Sequence, residues 1–295
     1  MAEFAPPCVI GMNRVSQVSK SINVGGRLVD LGKPQVMGIL NVTPDSFFAD
    51  SRCSGEMQIR QRVNEIRLHG ASMIDIGAYS SRPGATDVSQ EEELQRLLPA
   101  ISIVREEWPE SIISIDTFRS HVAYKAIEAG ADIINDIAGG DLDKEMFDVV
   151  AQKQVPYVMM HMKGTPQKML TSYANDDVMS EVFRSLGERV EVLHEKGVAD
   201  VIIDPGFGFG KTLEQNYTMM QRLGEFTLLD CPLLVGISRK SMIYRLLETT
   251  PEESLNGTTV LNTIALLNGA NILRVHDVKE ANEAIKIYTQ CLISE

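Results

Sequence analysis

Eight short apolar runs, each separated from the next by a stretch long enough for a helix, constrain the fold of this chain more than any other feature. They are Val36 to Leu40, Met73 to Ile76, Ile112 to Ile115, Ile133 to Ile137, Tyr157 to Met160, Val201 to Ile203, Leu233 to Ile237 and Ile272 to Val275. Near-continuous runs of Ile, Val, Leu and Met fit parallel strands covered on both faces. Segments of helical period lie between them, among them Met57 to His69, Glu91 to Glu107, Arg119 to Ala129, Val178 to Lys196 and Thr259 to Leu267. Gly70, Gly130 and Gly197 follow such segments at positions that suit helix C-caps. Upstream, Ile22-Asn23-Val24 and Arg27-Leu28-Val29 flank Gly25-Gly26, which reads as a two-residue hairpin turn.

Eight βα units in 295 residues predict an α/β fold, a (β/α)8 TIM barrel with an N-terminal β-hairpin. A doubly wound open sheet is the alternative. Polar and Gly-rich clusters follow nearly every run: Asn41 to Asp45, Ser80 to Gly84, Asp116-Thr117, Asn135-Asp136, His161-Met162, Asp204-Pro205-Gly206, Ser238-Arg239-Lys240 and Arg274 to His276. An open sheet would gather such groups near one switch point, whereas a barrel opens every strand end onto one mouth, so the barrel is favoured. Residues 1–20 read as an extension and 21–295 as a single domain.

With 44% hydrophobic and 23% charged residues the chain can bury a substantial core. No apolar run approaches the roughly 18 residues of a membrane helix, and Met1 to Ile10 lacks a signal core, so a cytoplasmic protein without a membrane partner is expected. A net charge of -12 opposes non-specific binding to nucleic acid, and any anionic ligand needs a local cationic pocket. Cys8, Cys53, Cys231 and Cys291 are scattered, without zinc spacing, and read as reduced thiols.

Asp116, Asn135 and Asp204 close apolar runs, where burial is costly without hydrogen-bond partners. Capping of a helix or loop is the competing role for any one of them. Together around one mouth they favour a ligand rich in N–H groups. Lys240 lies at the start of a helical segment, where backbone N–H groups and the helix dipole favour an anion. Arg274 and His276 are two apart at a strand end, so alternation turns both to one face, a pairing suited to phosphate. The glycine-rich stretch Asp204 to Lys211 has neither nucleotide-loop spacing. It reads as a flexible loop, or as one that brings backbone and an aromatic edge to a flat ligand. Met159, Met160 and His161 read as core or lining residues. Motifs for zinc hydrolysis or a serine nucleophile are lacking.

Ordered through the chain are Met37-Gly38-Ile39-Leu40-Asn41-Val42-Thr43-Pro44-Asp45-Ser46-Phe47, Ser81-Arg82-Pro83-Gly84, Ser114-Ile115-Asp116-Thr117, Ile134-Asn135-Asp136, Met160-His161-Met162, Asp204-Pro205-Gly206-Phe207-Gly208, Ser238-Arg239-Lys240-Ser241 and Arg274-Val275-His276-Asp277. In these the sequence resembles the dihydropteroate synthase family of pterin-binding enzymes, from about Leu28 to Tyr288. The resemblance implies condensation of 6-hydroxymethyl-7,8-dihydropterin diphosphate with 4-aminobenzoate in folate biosynthesis, with Mg2+ on the diphosphate, in a homodimer. It implies that Asp116, Asn135, Met160, Asp204, Phe209, Lys240 and Arg274 hold the pterin. Asn41, Arg82, Arg274 and His276 would hold diphosphate, with Asn41 also on the metal. Phe47, Ser81, Pro83, Phe209 and Ser241 would surround 4-aminobenzoate. Asp116, Asp45, Lys240 and Arg274 would serve catalysis, with Asp45 brought to the reacting methylene by a loop. Cationic Arg274 and His276 would favour the departing anion. Ser81 and Tyr79 depart from the family pattern, where Thr and an acidic residue are frequent. A regulatory pterin-binding homologue would lack Asn41, Asp45, Arg82 or Lys240, and a corrinoid-dependent methyltransferase would not need the diphosphate set; all of these residues are present.

Overall fold

A computed structural model describes residues 20–43, 52–79, 88–165, 168–169 and 177–293, with backbone alone at 52–54 and 168–169. The described chain opens on a hairpin of β1 (Ser21–Val24) and β2 (Arg27–Asp30). Next come β3 (Gln35–Asn41), α1 (Arg52–Leu68), β4 (Met73–Gly77), α2 (Gln90–Glu107), β5 (Ile112–Asp116), α3 (Ser120–Glu128), β6 (Ile133–Asp136) and α4 (Met146–Lys153). The second half holds β7 (Tyr157–Met160), a small hairpin of β8 (Gly164–Thr165) and β9 (Lys168–Met169), α5 (Val178–Glu195), β10 (Val201–Asp204) and α6 (Leu213–Gln221). It ends with a 3-10 segment (Leu223–Leu229), β11 (Leu234–Val235), α7 (Ser241–Leu246), α8 (Leu255–Leu267), β12 (Ile272–Val275) and α9 (Val278–Ile293).

All eight expected strands form, and they pair in parallel in the order β10-β7-β6-β5-β4-β3-β12-β11. A parallel bridge between Ile203 and Leu233, with the Ile203 N–H donating to Pro232 O at 2.9 Å, joins β10 to β11 and closes the ring. The open-sheet alternative is thereby excluded, since its strand order would reverse at a switch point. The glycines at 70, 130 and 197 take φ of +86°, +105° and +84°, as the C-cap reading requires. Gly25 and Gly26 take +58° and +88°, a turn with both central residues left-handed.

The pleat divides each apolar run between two environments. Val36, Leu40, Ile74, Ile76, Ile113, Ile115, Ile134, Val201, Ile203, Val235, Leu273 and Val275 face the helices in one large core. Met37, Met73, Ile112, Ile133, Val158, Ile202, Leu234 and Ile272, one residue from each strand, fill the barrel floor. Ile22, Val24 and Leu31, from the hairpin and the turn after it, plug that floor from below. Two residues further along the same inward rows stand Asp75, Ser114, Asn135, Asp204 and Arg274, so the ligand-facing groups gather at the opposite end. Gly38 is the outward position where helices come closest: a Cβ there would lie 2.6 Å from Ile66 Cγ2 on α1 and 3.1 Å from Val278 Cγ2 on α9. We predict that Gly38→Ala loses about 1–3 kcal/mol of stability through overpacking. An unchanged urea midpoint would show that α1 and α9 accommodate the methyl.

Candidate active site at the barrel mouth

The centre of the mouth is an arginine held by carboxylates from two other strands. Arg274 on β12 donates from Nε to Asp75 Oδ2 at 2.6 Å and from Nη2 to Asp116 Oδ2 at 2.6 Å. Asp75 on β4 is fully buried and also accepts from Ser114 Oγ at 2.5 Å and Asn135 Nδ2 at 3.1 Å. Asp116, at the end of β5, keeps 19% of its side chain exposed and so faces the mouth above Asp75. Burial pushes the Asp116 carboxyl up to about 7; Arg274 opposes that shift and Asp75 adds to it. Burial also opposes charge on Arg274, yet Asp75 and Asp116 outweigh it and hold the guanidinium above its ordinary value. The ring is therefore a fixed cation beneath a carboxyl whose charge a ligand can settle.

Lys240 and Asp204 form the second charged pair of the mouth. Lys240 is the N-cap residue of α7, and its ammonium donates to Phe207 O at 2.5 Å and lies 4.5 Å from the centre of the Phe209 ring. It therefore serves the glycine-rich loop after β10 rather than an anion at the helix start. Burial lowers it to about 8, with Asp204 opposing and Arg274 adding. Asp204 is raised by burial, against the charge of Lys240, and its Oδ1 accepts the Gly206 N–H at 2.8 Å. The loop-capping role weighed for this aspartate is thus real, but it occupies one oxygen; Oδ2 lies beside Gly236, whose missing side chain leaves the approach open. Met160, at the end of β7, joins Ile137, Ala138 and Met162, with Phe118 and Phe209 packed against them, as an apolar wall.

His276 follows β12, with Nδ1 3.0 Å from Ser238 Oγ. Burial, followed by the charge of Arg274, lowers it to about 4, so the imidazole is neutral at pH 7. With these neighbours His276 is a polar group beside Arg274, which carries the positive charge; a cationic His276 requires a further anion next to it. Between Ser238 and Lys240, Arg239 has a left-handed φ of +56° and turns away from the mouth to grip Asp277 with Nε at 3.0 Å and Nη2 at 2.7 Å. That fork ties the loop after β11 to the loop after β12. Asn41 ends β3, and its Oδ1 and Asp116 Oδ2 lie 3.6 and 3.7 Å from the point where a Gly77 Cβ would stand. Ser241 opens α7 beside Lys240.

A model of the pterin binding enzyme family matches residues 37–276. The chain belongs to that family, among the dihydropteroate synthases. It is 42% identical over 264 residues to the dihydropteroate synthase of Escherichia coli strain K12, covering 89% of this chain and 93% of that one. The Synechocystis enzyme is 41% identical over 286 residues, 94% and 98% of the two chains. The crystal structure of the Yersinia pestis synthase with a sulfonamide drug complex superposes with a TM-score of 0.86 at 38% identity, covering 94% of this chain and 100% of that one. The Xanthomonas albilineans synthase with 4-aminobenzoic acid gives 0.87 at 36% identity, with the same coverage. This chain is accordingly a pterin-binding transferase of folate synthesis.

For this synthase-family mouth, the structure brings together Asn41, Asp116, Asn135, Met160, Asp204, Phe209, Lys240, Ser241, Arg274 and His276 from seven of the barrel strands and the loops that follow them. Asp45, Phe47, Ser81, Arg82 and Pro83 lie outside the described residues. Asp75 is the residue sequence reasoning missed. It stands inside the run Met73-Ile74-Asp75-Ile76, and an acid at an interior position of a strand buried on both faces is itself the signal of a buried ionic partner. We expect Asp75→Asn, which removes one of the two carboxylates on Arg274, to lower stability by about 1.5–3 kcal/mol, the scale of a charged hydrogen bond. Wild-type stability in denaturant titration would show that Asp116 alone suffices.

Proposed function

We propose that the chain condenses 6-hydroxymethyl-7,8-dihydropterin diphosphate with 4-aminobenzoate, giving 7,8-dihydropteroate and diphosphate by an SN1-like step. The observation that carries this reading is the convergence of Asp116, Asn135, Asp204 and Lys240 around the Arg274 guanidinium. The amino and ring N–H groups of a neutral pterin supply donors to Asp116 and Asp204, and its carbonyl accepts from Lys240. Met160 and Phe209 contribute the apolar wall. Arg274 uses two N–H groups on carboxylates, which leaves three of the five an arginine carries for the pterin face and the diphosphate. Xanthomonas albilineans synthase structures hold 4-aminobenzoic acid and, separately, 7,8-dihydropteroate, which supports the same substrate pair here.

In the reaction, Arg274 and His276, with Arg82, bind the leaving diphosphate. Asp116, brought to its ionised form by pterin donors, stabilises the methylene cation that develops as the C–O bond breaks, and Asp45 serves the same centre. The aniline nitrogen of 4-aminobenzoate, already neutral at pH 7, traps that cation, and the strongly acidic arylammonium so formed releases its proton to water or the departing diphosphate, so no strong base is needed. Phe47, Ser81, Pro83 and Phe209 flank its ring, and Ser241 at the start of α7 receives its carboxylate. Asn41 offers a neutral hard oxygen at the mouth, a donor that fits Mg2+ held mainly by diphosphate and water. When bound, Mg2+ neutralises charge on the departing diphosphate.

The protein acts in the cytoplasm as a homodimer in this reading. Exposed Leu246, Leu247, Val260 and Leu267 on and beside α7 and α8 support self-association, and no described helix is long and apolar enough to cross a membrane. The deciding assay mixes purified protein with the pterin diphosphate, 4-aminobenzoate and Mg2+. Formation of 7,8-dihydropteroate is the expected outcome, and its absence with both substrates bound would overturn the proposal.

A pH test isolates His276. A bound anion raises an imidazole that its own surroundings hold at about 4, so binding takes up a proton and affinity grows as pH falls through the bound-state value. Pyrophosphate should gain affinity for wild type relative to His276→Gln between about pH 7 and 5.5. Parallel titration curves for the two proteins would remove His276 from the diphosphate site.

A further inference from the structure

We propose that Lys211 is a positioning residue for this reaction: its buried ammonium staples the Gly206–Phe209 loop from behind, and that staple places Phe209 and the Phe207 carbonyl in the mouth. The proposal rests on the functional reading of the mouth given above.

Lys211 ends the glycine-rich stretch, where its position after Gly210 superficially suggests a phosphate-binding lysine. The structure turns it the other way. Only 9% of the residue is exposed, and Nζ donates to Gly206 O at 2.8 Å and, at 3.3 Å, to His161 O and Phe209 O. His161 Nδ1 also lies 3.3 Å from Nζ. Backbone geometry makes the staple tight. Gly206 takes φ of +72°, and a Cβ there would stand 2.0 Å from His161 O, so the loop runs directly against the strand-end carbonyl that Lys211 holds. The Phe209 N–H donates back to Gly206 O at 3.2 Å, and the Gly208 N–H donates to Asn216 Oδ1 at 2.7 Å.

Two ammonium groups thus grip three carbonyls of one loop. Lys211 takes Gly206 and Phe209 from the interior, while Lys240 takes Phe207 from the mouth and sits against the Phe209 ring. Turning the Gly206, Phe207 or Phe209 carbonyl away breaks a charged hydrogen bond. Phe209 is therefore presented to its ligand by a residue that does not itself reach the mouth.

The groups facing Lys211 are Asp204 at the end of β10, Lys240 at the start of α7, Glu181 on α5, which is paired with Lys163 at 2.9 Å, and His161 after β7. Burial, with Lys211 next, keeps His161 neutral, so Nδ1 accepts from the ammonium. Burial lowers Lys211 to about 7, against Asp204. Its charge is present below that pH and lost above it, so the grip on the carbonyls weakens as pH rises through neutrality.

The test uses the full chain and two kinds of readout. In Lys211→Met, hydrogen exchange at the Gly208 and Phe209 amides should accelerate about tenfold or more, while the Ile203 amide, bonded to Pro232 O across the barrel closure, keeps its rate. KM for 4-aminobenzoate should rise about tenfold with kcat changed by less than about threefold. In wild type that KM should climb more steeply between pH 7 and 9 than in the variant, where Lys240 alone still holds the loop. Unchanged loop exchange in a folded variant would overturn the staple, as would the same pH profile in both proteins. Should the variant not fold, wild-type loop protection decides alone: corrected for intrinsic exchange, it should already fall between pH 6.5 and 7.5, below the value of about 8 at Lys240, and constant protection over that range would overturn the proposal. The exchange readout needs no turnover, so an inactive wild type would refute the proposed reaction and leave the staple to be judged separately.

Discussion

Arg274 carries the architecture of the mouth. Its guanidinium lies between a carboxylate of β4 and one of β5, residues 199 and 158 positions away in the chain, and the three strands meet because β12, the last strand, pairs with β3, the first of the barrel. A buried carboxylate pair without a cation would be driven neutral, and a buried guanidinium without carboxylates would not be tolerated. Each member therefore makes the others possible. Asp75, fully buried and accepting from Arg274, Ser114 and Asn135, is the floor of the network, and Asp116 is its open edge. The result is a rigid charged platform on which a flat, N–H-rich ligand can settle Asp116 in its ionised form.

The barrel can afford that polar platform because its two ends are chemically separate. Eight apolar side chains, one per strand, seal the interior below the charges, and the N-terminal hairpin covers them with Ile22, Val24 and Leu31. The hairpin thus substitutes for a deeper core, keeping water from the floor while the mouth stays open. On the outside, the strands pack against helices through a large apolar core, interrupted at Asp136 of β6, whose buried carboxylate accepts from the Tyr157 hydroxyl at 2.7 Å. At the mouth, charge is gathered into one layer, where it acts through a low-dielectric surrounding.

Around the platform, the loops are restrained by groups that never reach a ligand. The Arg239–Asp277 fork joins the loops that carry Lys240 and His276, and it holds Arg239 in a left-handed conformation that a non-glycine residue adopts only when its surroundings demand it. Asn216 and Lys211 do the same for the loop that carries Phe209. Four side chains that sequence inspection would assign to solvent or to anions are therefore spent on backbone or on each other. Precision at the mouth comes from these supports as much as from the groups that line it.

The sequence by itself determined the alternation of apolar runs and helical segments, the hairpin turn at Gly25-Gly26, and the polar residues that end the runs; these are local properties, set by side-chain chemistry and period. Asp116, Asn135, Asp204, Lys240, Arg274 and His276 were legible for that reason, since each stands where a run stops. Asp75 and Lys211 were not. Asp75 sits two residues inside its run, and nothing local says that its neighbours across the barrel are Arg274 and Asn135. Lys211 follows glycines like a phosphate ligand, but which way it turns depends on where the His161 carbonyl lies, a residue from another strand end. The neutral state of His276 was likewise not legible, because an imidazole reports its burial and its neighbours rather than its place in the chain. Side-chain direction and charge state are settled by groups that strand pairing brings together from distant parts of the chain, so only the tertiary structure could decide them.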